Sequence, residues 1–437
     1  MLEARPPALL GCRCPSSLFD YTLRCIPPRC AAQLAATYDD WLTTTAMDVL
    51  QLAANERTDD VRARLQAPLR HGGFGLSSAS QTASLAYLSS IASSAVLPGE
   101  HALAVDAVPP DSQLHSWLSD ALSSELVTRL LQSRRHGRLV HPSADSYLAH
   151  YRDHPEMASH LQQKLNEAAT CTLFNARVER AAADGDVAAV ACLKSISAGR
   201  AWTWKSVLPT EPAHRLSDEH YRAAARRDLG LQPVSGPMPD VCVACQQDVS
   251  NNAYHGLHCK HTKQFATLRH NAVENALAAA ARQSACAVVQ QAAGLVSSAP
   301  GLKPDLLVLT SKGTVVSDVV VSDPMAPSNL PVSVKGSLAL ANQMAEKKRG
   351  KYKVITDALR AEHLPFSVET TGALGETAQE VIKLIAWTAR EYGSPWSPEE
   401  IKVHLMSSVA VAIQRGNGLA LAAAWNKEVE AVLGVVG

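Results

Sequence analysis

The sequence has no excess of charge of either sign. Lys and Arg number 41 and Asp and Glu number 41, so the chain as a whole is not a polycation that would coat nucleic acid indiscriminately. It has no apolar run reaching the ~20 residues that a membrane-crossing helix requires, and its first 20 residues do not read as a secretory signal. These absences speak against a membrane protein and against a secreted one. Internal repeats are missing too, as is any low-complexity tract beyond an alanine bias. Hydrophobic residues make up 46%, which is ordinary for a folded protein and excludes wholesale disorder. The 437 residues leave room for about two to four domains at roughly 100–200 residues each. The ten cysteines are not packed into a small secreted frame, so the clustered ones suggest metal ligation rather than disulfides.

Neutrality hides an asymmetry. Between Lys260 and Arg360 the chain carries 13 Lys/Arg against 6 Asp/Glu, enough for a phosphate-binding surface, although a solvated helix face has the same composition. Residues 1–100 read as helical: helical spacing runs over about 31–54, and a small-residue helix over 77–95. Between them, three glycines in Pro68-Leu69-Arg70-His71-Gly72-Gly73-Phe74-Gly75-Leu76 predict a tight turn. A linker at 100–112 opens a second helical region, 101–239, that ends in the Gly- and Pro-rich stretch Gly230–Pro239. Trp202 and Trp204 in that region suit core packing better than base stacking. From Asp240 the texture changes. A Cys/His cluster (240–262) precedes an α/β region (263–437) with a long Ala-rich helix at about 262–294. Strands follow at Leu306–Thr310 and Thr314–Ser322, a helix at 337–361, a strand at Phe366–Thr370 and helices at 376–391 and 398–431. That order predicts a small mixed sheet flanked by helices.

Cys242, Cys245, His255 and Cys259 form C-x2-C-x9-H-x3-C. Two thiolates two residues apart can turn back onto one ion. An imidazole and a third thiolate complete a tetrahedron that suits Zn²⁺. His258 and His261 compete for the fourth position. The residues between the ligands are polar and turn-rich, so a structural metal is needed to organise them.

The second strand is apolar on both sides of Asp318, and a carboxylate there is costly to ionise without compensation. If Ser311 and Lys312 form a two-residue turn, Asp305 falls directly opposite Asp318 on one face, with Cβ atoms ~5 Å apart. A turn at Lys312-Gly313 makes the pair diagonal, and a three-residue loop separates their faces. Two carboxylates this close invite a hard cation, Mg²⁺ or Mn²⁺. With a nearby lysine they have the composition of a metal-assisted phosphodiester-hydrolysing site. Lys348 and Lys351 share a helix face with Tyr352, flanked by Lys347 and Arg349, and Lys335 is a further lysine candidate. On the preceding helix, His270 and Glu274 share a face. Glu274 offers another carboxylate, and Arg269 and His270 offer phosphate contacts.

These motifs in this order resemble the C-terminal region of non-LTR retrotransposon polyproteins. The quoted features are the Cys-Cys-His-Cys cluster, Arg269-His270-Asn271, Lys303-Pro304-Asp305, Asp318 and the Lys348/Lys351-Tyr352 helix. Glu369-Thr-Thr-Gly-Ala-Leu-Gly375 is similar to the family's strand and glycine turn. Leu23-Arg24-Cys25-Ile26-Pro27-Pro28 and the turn at 68–76 are similar to its post-polymerase thumb segment. The resemblance implies a mostly helical multidomain chain with a C-terminal α/β restriction-endonuclease-like domain of the PD-(D/E)xK type. Its implied activity is nicking of target DNA for target-primed reverse transcription, with DNA and element RNA as partners, in the nucleus. It also implies a displaced catalytic lysine supplied by a helix, as Lys348 or Lys351 would be. Polymerase fingers and palm are absent from this chain, because Thr37-Tyr38-Asp39-Asp40 lacks the aromatic two positions before the paired acids. The alternatives are a non-catalytic nucleic-acid-binding fragment and an inactive relic of such an element.

Overall fold

A computed structural model describes residues 21–94, 109, 111–132, 140–234, 238–250, 252–297 and 299–425. Most of the expected linker at 100–112 lies outside them, as do Cys12 and Cys14. The described chain is mostly helical with a small mixed sheet, and none of its described helices is long and apolar enough to cross a membrane. It divides into two units: one of described residues within Ala8–Val49 and Arg57–Arg180, the other of Leu50–Glu56 and the chain from Ala181 onward. The helices of 101–239 are thus shared between the units rather than forming one of their own.

The first unit holds α1 (Pro28–Val49), α2 (Asp59–Gln66), α3 (Ala79–Ser94), α4 (Gln113–Leu122), α5 (Glu125–Gln132), α6 (Ala144–Asp153) and most of α7 (Leu161–Ala183). Hydroxyls of Thr58, Ser112 and Ser143 accept from backbone N–H groups at the starts of α2, α4 and α6, satisfying donors that have no partner within the helix. Leu85, Leu88, Leu118, Leu130, Tyr147 and Leu165 pack the centre. The predicted glycine turn forms, with Gly72 and Gly75 at φ 76° and 73°. Buried Asp39 accepts from Ser78 Oγ (2.7 Å) and from the N–H groups of Ala79 (2.6 Å) and Ser80 (3.0 Å). It therefore caps α3 from a helix distant in sequence.

The second unit contains α8 (Val187–Ile196), α9 (Thr203–Ser206), α10 (Asp218–Asp228), α11 (Lys263–Gln283), α12 (Leu330–Ser333), α13 (Ala339–Lys351), α14 (Lys353–Leu359), α15 (Glu376–Glu391) and α16 (Pro398–Trp425). Its strands are β1 (Ala287–Gln290), β2 (Leu306–Thr310), β3 (Gly313–Ser317), β4 (Val319–Ser322), β5 (Glu362–His363) and β6 (Phe366–Glu369). β1, β2 and β3 pair antiparallel in that order, and β3 pairs parallel with β5. β4 pairs parallel with β6. Asp318 separates β3 from β4, yet its carbonyl still accepts from Phe366 N–H at 3.0 Å. The single strand expected at 314–322 is therefore divided at Asp318 into β3 and β4, which pair in different sheets. Trp204 is buried against Tyr221, ring centroids 5.4 Å apart.

Two further expectations are corrected. The helix read over 262–294 ends at Gln283, because Ala285 turns left-handed (φ 59°) and Ala287–Gln290 pairs with β2. The helix read over 337–361 breaks at Tyr352, where α13 gives way to α14.

Helix α16 packs against α11 and α15 around Val273, Leu277, Ile385, Leu405, Val409 and Ile413. Its close approach to α11 depends on Gly416: a Cβ there would stand 2.5 Å from Arg269 Cβ. Gly350 in α13 has open space around it. Gly416→Ala is expected to destabilise the unit by about 1–3 kcal/mol, the clash outweighing the gain in helix propensity. Gly350→Ala is expected to be neutral or to stabilise by up to ~1 kcal/mol. Denaturant unfolding of the two variants checks both, and equal effects would contradict this packing.

Candidate functional site

The register of the β2–β3 hairpin sets the site. Thr310 pairs with Gly313 and Leu306 with Ser317, so Ser311 and Lys312 form the two-residue turn. Asp305 and Asp318 are the next positions beyond the last rung, opposite one another in that register. Both are buried, at 9% and 3% exposure, and each carboxylate is compensated separately.

Asp305 is held from α11, from the residue that follows β1 and from β4. Its Oδ2 accepts from Val319 N–H (2.8 Å) and lies 3.0 Å from His270 Nε2. Gln291 Nε2 donates to Asp305 Oδ1 (3.2 Å) and to Glu274 Oε2 (2.6 Å). The amide thus bridges the two carboxylates, from a residue whose own backbone is left-handed (φ 52°). Gln290 Nε2 also donates to Glu274, at 3.2 Å. One donor atom from each of His270, Glu274 and Asp305 lies within 4.8 Å of the others, a grouping that could hold a metal ion. The Asp305 hydrogen bond raises the His270 pKa. Burial pushes Asp305 upward, but hydrogen bonds led by that from His270 bring it below its ordinary value.

Asp318 takes a different set of partners, at the junction of α13 and α14. Tyr352 donates its hydroxyl to Asp318 Oδ1 at 2.6 Å, and Lys348 forms an ion pair with Oδ2. Burial, and then the hydrogen bond to Asp318, push the Tyr352 hydroxyl far above its ordinary range, so it remains a donor. Lys351 Nζ donates to the same hydroxyl (2.9 Å) and lies 4.6 Å from the ring centroid. The break in the helix at Tyr352 therefore falls at the residue that reaches Asp318. His363 adds an edge-on ring, 5.3 Å from Tyr352.

The sequence expectation of a cation shared by Asp305 and Asp318 is thus modified: Asp305 groups with Glu274 and His270, while Asp318 joins Lys348 and Tyr352. Arg269 is a second correction. It is 4% exposed and donates to Asn417 Oδ1 at 2.6 Å, with burial pulling its pKa down to about 10. Placed inside against α16, it does not present its guanidinium to phosphate. Lys347, Arg349 and Lys335 are exposed, with Arg349 paired to Glu346 at 3.1 Å. Sequence reasoning missed Gln291, and its one signal was a polar Gln-Gln pair ending an apolar Val-Val run.

The Cys/His cluster assembles as expected. Donor atoms of Cys242, Cys245, His255 and Cys259 all lie within 4.8 Å of one another, and Cys245 Sγ is 3.2 Å from His255 Nε2. Both nitrogens of His258 are engaged, one by Asp323 (2.7 Å) and one by Asn252 (3.2 Å), and His261 is exposed, so neither competes for the fourth position. A Cys3His donor set fits a closed, structural metal site. The cluster rests on α16 through Val243 N–H to Ala424 O (3.0 Å). Gly256 lets the backbones meet, since a Cβ there would lie 2.7 Å from Ala420 O.

Two outcomes are expected. Elemental analysis should show that Cys242→Ser/Cys259→Ser loses about one metal equivalent relative to the parent; unchanged content would exclude these thiols as ligands. In metal-free buffer, the Asp305 part of the Asp305–His270 stabilisation is present above the ordinary carboxyl value of 3.8 and is lost as pH falls through the lower folded value. The His270 part is complete below 6.5 and is lost as pH rises through the higher folded value. The stability difference between the parent and His270→Gln should therefore be greatest at about pH 4–6.5 and shrink by about pH 9. A flat difference across that range would show that the pair is not ionic.

No model of a known protein family matches the chain, and no curated protein matches it either.

Proposed function

We propose that this chain is the metal-dependent DNA endonuclease portion of a non-LTR retrotransposon protein. In this reading it nicks target DNA in the nucleus so that the exposed 3′ end primes copying of the element RNA. The α/β region 263–437 of its second unit belongs to the restriction-endonuclease-like class, and the Cys3His cluster is a zinc knuckle. The observation that carries the proposal is the hairpin register that brings Asp305 and Asp318 to one end of the sheet, with Glu274 on one side and Lys348 and Tyr352 on the other.

Phosphodiester hydrolysis needs positive charge against the phosphate oxygens and acidic groups to organise it. Glu274 and Asp305 would hold Mg²⁺ or Mn²⁺, which would supply Lewis-acid stabilisation of the phosphate. Gln291 spaces those two carboxylates. His270 shares Asp305 with any cation, so loss of its proton favours metal occupancy. Lys348 supplies an ammonium group, fixed by Asp318, to neutralise charge developing on the phosphate. Tyr352 holds Asp318 in place as a permanent donor. Lys347, Arg349 and Lys351, all exposed on one helix, supply salt-sensitive contacts to the DNA backbone.

A second reading, a non-catalytic nucleic-acid-binding fragment, draws on the pairing of both acids with cationic side chains of the chain itself. Nicking of supercoiled plasmid by the full chain in Mg²⁺ or Mn²⁺ separates the two. The parent is expected to nick, and Asp305→Ala, Asp318→Ala and Lys348→Ala to lose roughly 100-fold or more while still folded. Salt-dependent DNA binding without nicking by any of them favours the binding module. A chain that fails to unfold cooperatively favours the inactive-relic reading.

A further inference from the structure

Apart from the hairpin and the knuckle, the second unit gathers one carboxylate and two imidazoles. Glu211 and His214 flank a short turn, and His404 lies in the second turn of α16. Glu211 Oε1 is 3.0 Å from His214 Nδ1 and 3.1 Å from His404 Nδ1. The imidazole centroids are 5.0 Å apart, and one donor atom of each residue lies within 4.8 Å of the others. We propose that this trio is a second metal site. It takes a borderline divalent cation, for which Zn²⁺ is the probe, and clamps the 211–215 turn to α16.

The donors suit that ion. A tetrahedral zinc with bonds of ~2.0–2.1 Å holds its ligand atoms about 3.3–3.4 Å apart, so the oxygen–nitrogen separations need open by only a few tenths of an ångström. Two nitrogens in a set of three select Zn²⁺ or its transition-metal neighbours over Mg²⁺ and Ca²⁺. Burial suits it as well. The imidazoles are 9% and 14% exposed and the Glu211 side chain 42%, so the rings are shielded while the carboxylate remains open to an incoming ion. Three protein ligands leave a fourth position for water.

The supporting contacts fix the ligands before any ion arrives. His214 Nε2 is 3.1 Å from Ser408 Oγ; a partner on the second ring nitrogen fixes the ring and its tautomer, as ligating histidines require. The edge of Trp396 meets His404 at 5.5 Å. Arg415 donates to the carbonyls of Pro212 (3.1 Å) and Arg215 (2.7 Å), so the turn already lies against α16 and the metal would add a second tie beside these bonds. His404, Ser408 and Arg415 lie four and seven residues apart, on one helix face. The competing arrangement is a metal-free trio in which both imidazoles donate Nδ1–H to Glu211.

The test is metal stoichiometry of the full chain, stripped with chelator, reloaded with Zn²⁺ and dialysed. Glu211→Ala and His404→Gln are each expected to bind about one equivalent less than the parent, while Cys242→Ser/Cys259→Ser loses a different equivalent. In Co²⁺-loaded protein, Glu211→Ala should keep the thiolate-to-cobalt absorption of the cysteine site and lose only weaker ligand-field intensity. Glu211 lies in a turn with its side chain 42% exposed, so circular dichroism of that variant should match the parent even if the His404 variant unfolds. If Glu211→Ala binds as much zinc as the parent, or if all bound zinc disappears with the cysteine variant, the trio is only a hydrogen-bonded contact and the proposal fails.

Discussion

Two carboxylates opposite one another at the end of a short hairpin impose the main constraint on the second unit. Asp305 and Asp318 are buried, and a buried charge persists only where something compensates it. The neighbouring elements are arranged to do so with separate partners. α11 brings His270 and Glu274, and β1 ends so that Gln291 can bridge Glu274 to Asp305. α13 brings Lys348, and the helix breaks where Tyr352 turns toward Asp318. The division into an acid-rich side and a cation-rich side gives the site its chemical polarity.

A second constraint acts through α16. A polar network is buried beneath it: Lys205 and Arg227 both pair with Asp228, at 2.8 and 2.9 Å. Arg227 also donates to Thr370 O (3.0 Å) and Gln414 Oε1 (3.2 Å). Asn417 donates to Thr370 O (2.6 Å) and accepts from Arg269. Such groups are tolerated inside only when partnered, so the network fixes the angle and register of α16 on α10, α11 and the end of β6. Gly418 allows the contact with α10, since a Cβ there would lie 2.1 Å from His220. The Cys3His cluster rests on the same helix, and His258 reaches Asp323, just beyond β4. A metal held at the cluster would thereby be connected to the end of β4 through the His258–Asp323 hydrogen bond.

Much of this was legible residue by residue. The spacing of Cys242, Cys245, His255 and Cys259 marks a metal cluster because short loops alone bring such ligands together. The β-branched runs around Asp318 mark buried strand, and Ser311-Lys312 was one of three turns that the hairpin could use. Other features were not legible. The alanine-rich stretch around it hid β1, whose two strand-favouring valines are too short a signal without the pairing to β2. Arg269 looked like a surface cation because sequence spacing does not show that a glycine in α16, 147 positions later, packs onto its side chain.

The sequence by itself determined the local chemistry: which residues titrate, which can ligate a metal, where glycines permit a turn, and which stretches are apolar enough to be buried. Those properties depend on side-chain type and near-neighbour spacing. The tertiary structure decided which of these groups meet. It selected His255 over His258, gave Asp305 to Glu274 and His270 rather than to Asp318, and brought Glu211 and His214 to His404. These choices depend on contacts between residues far apart in the chain, which the packing of α16 and the register of one hairpin supply.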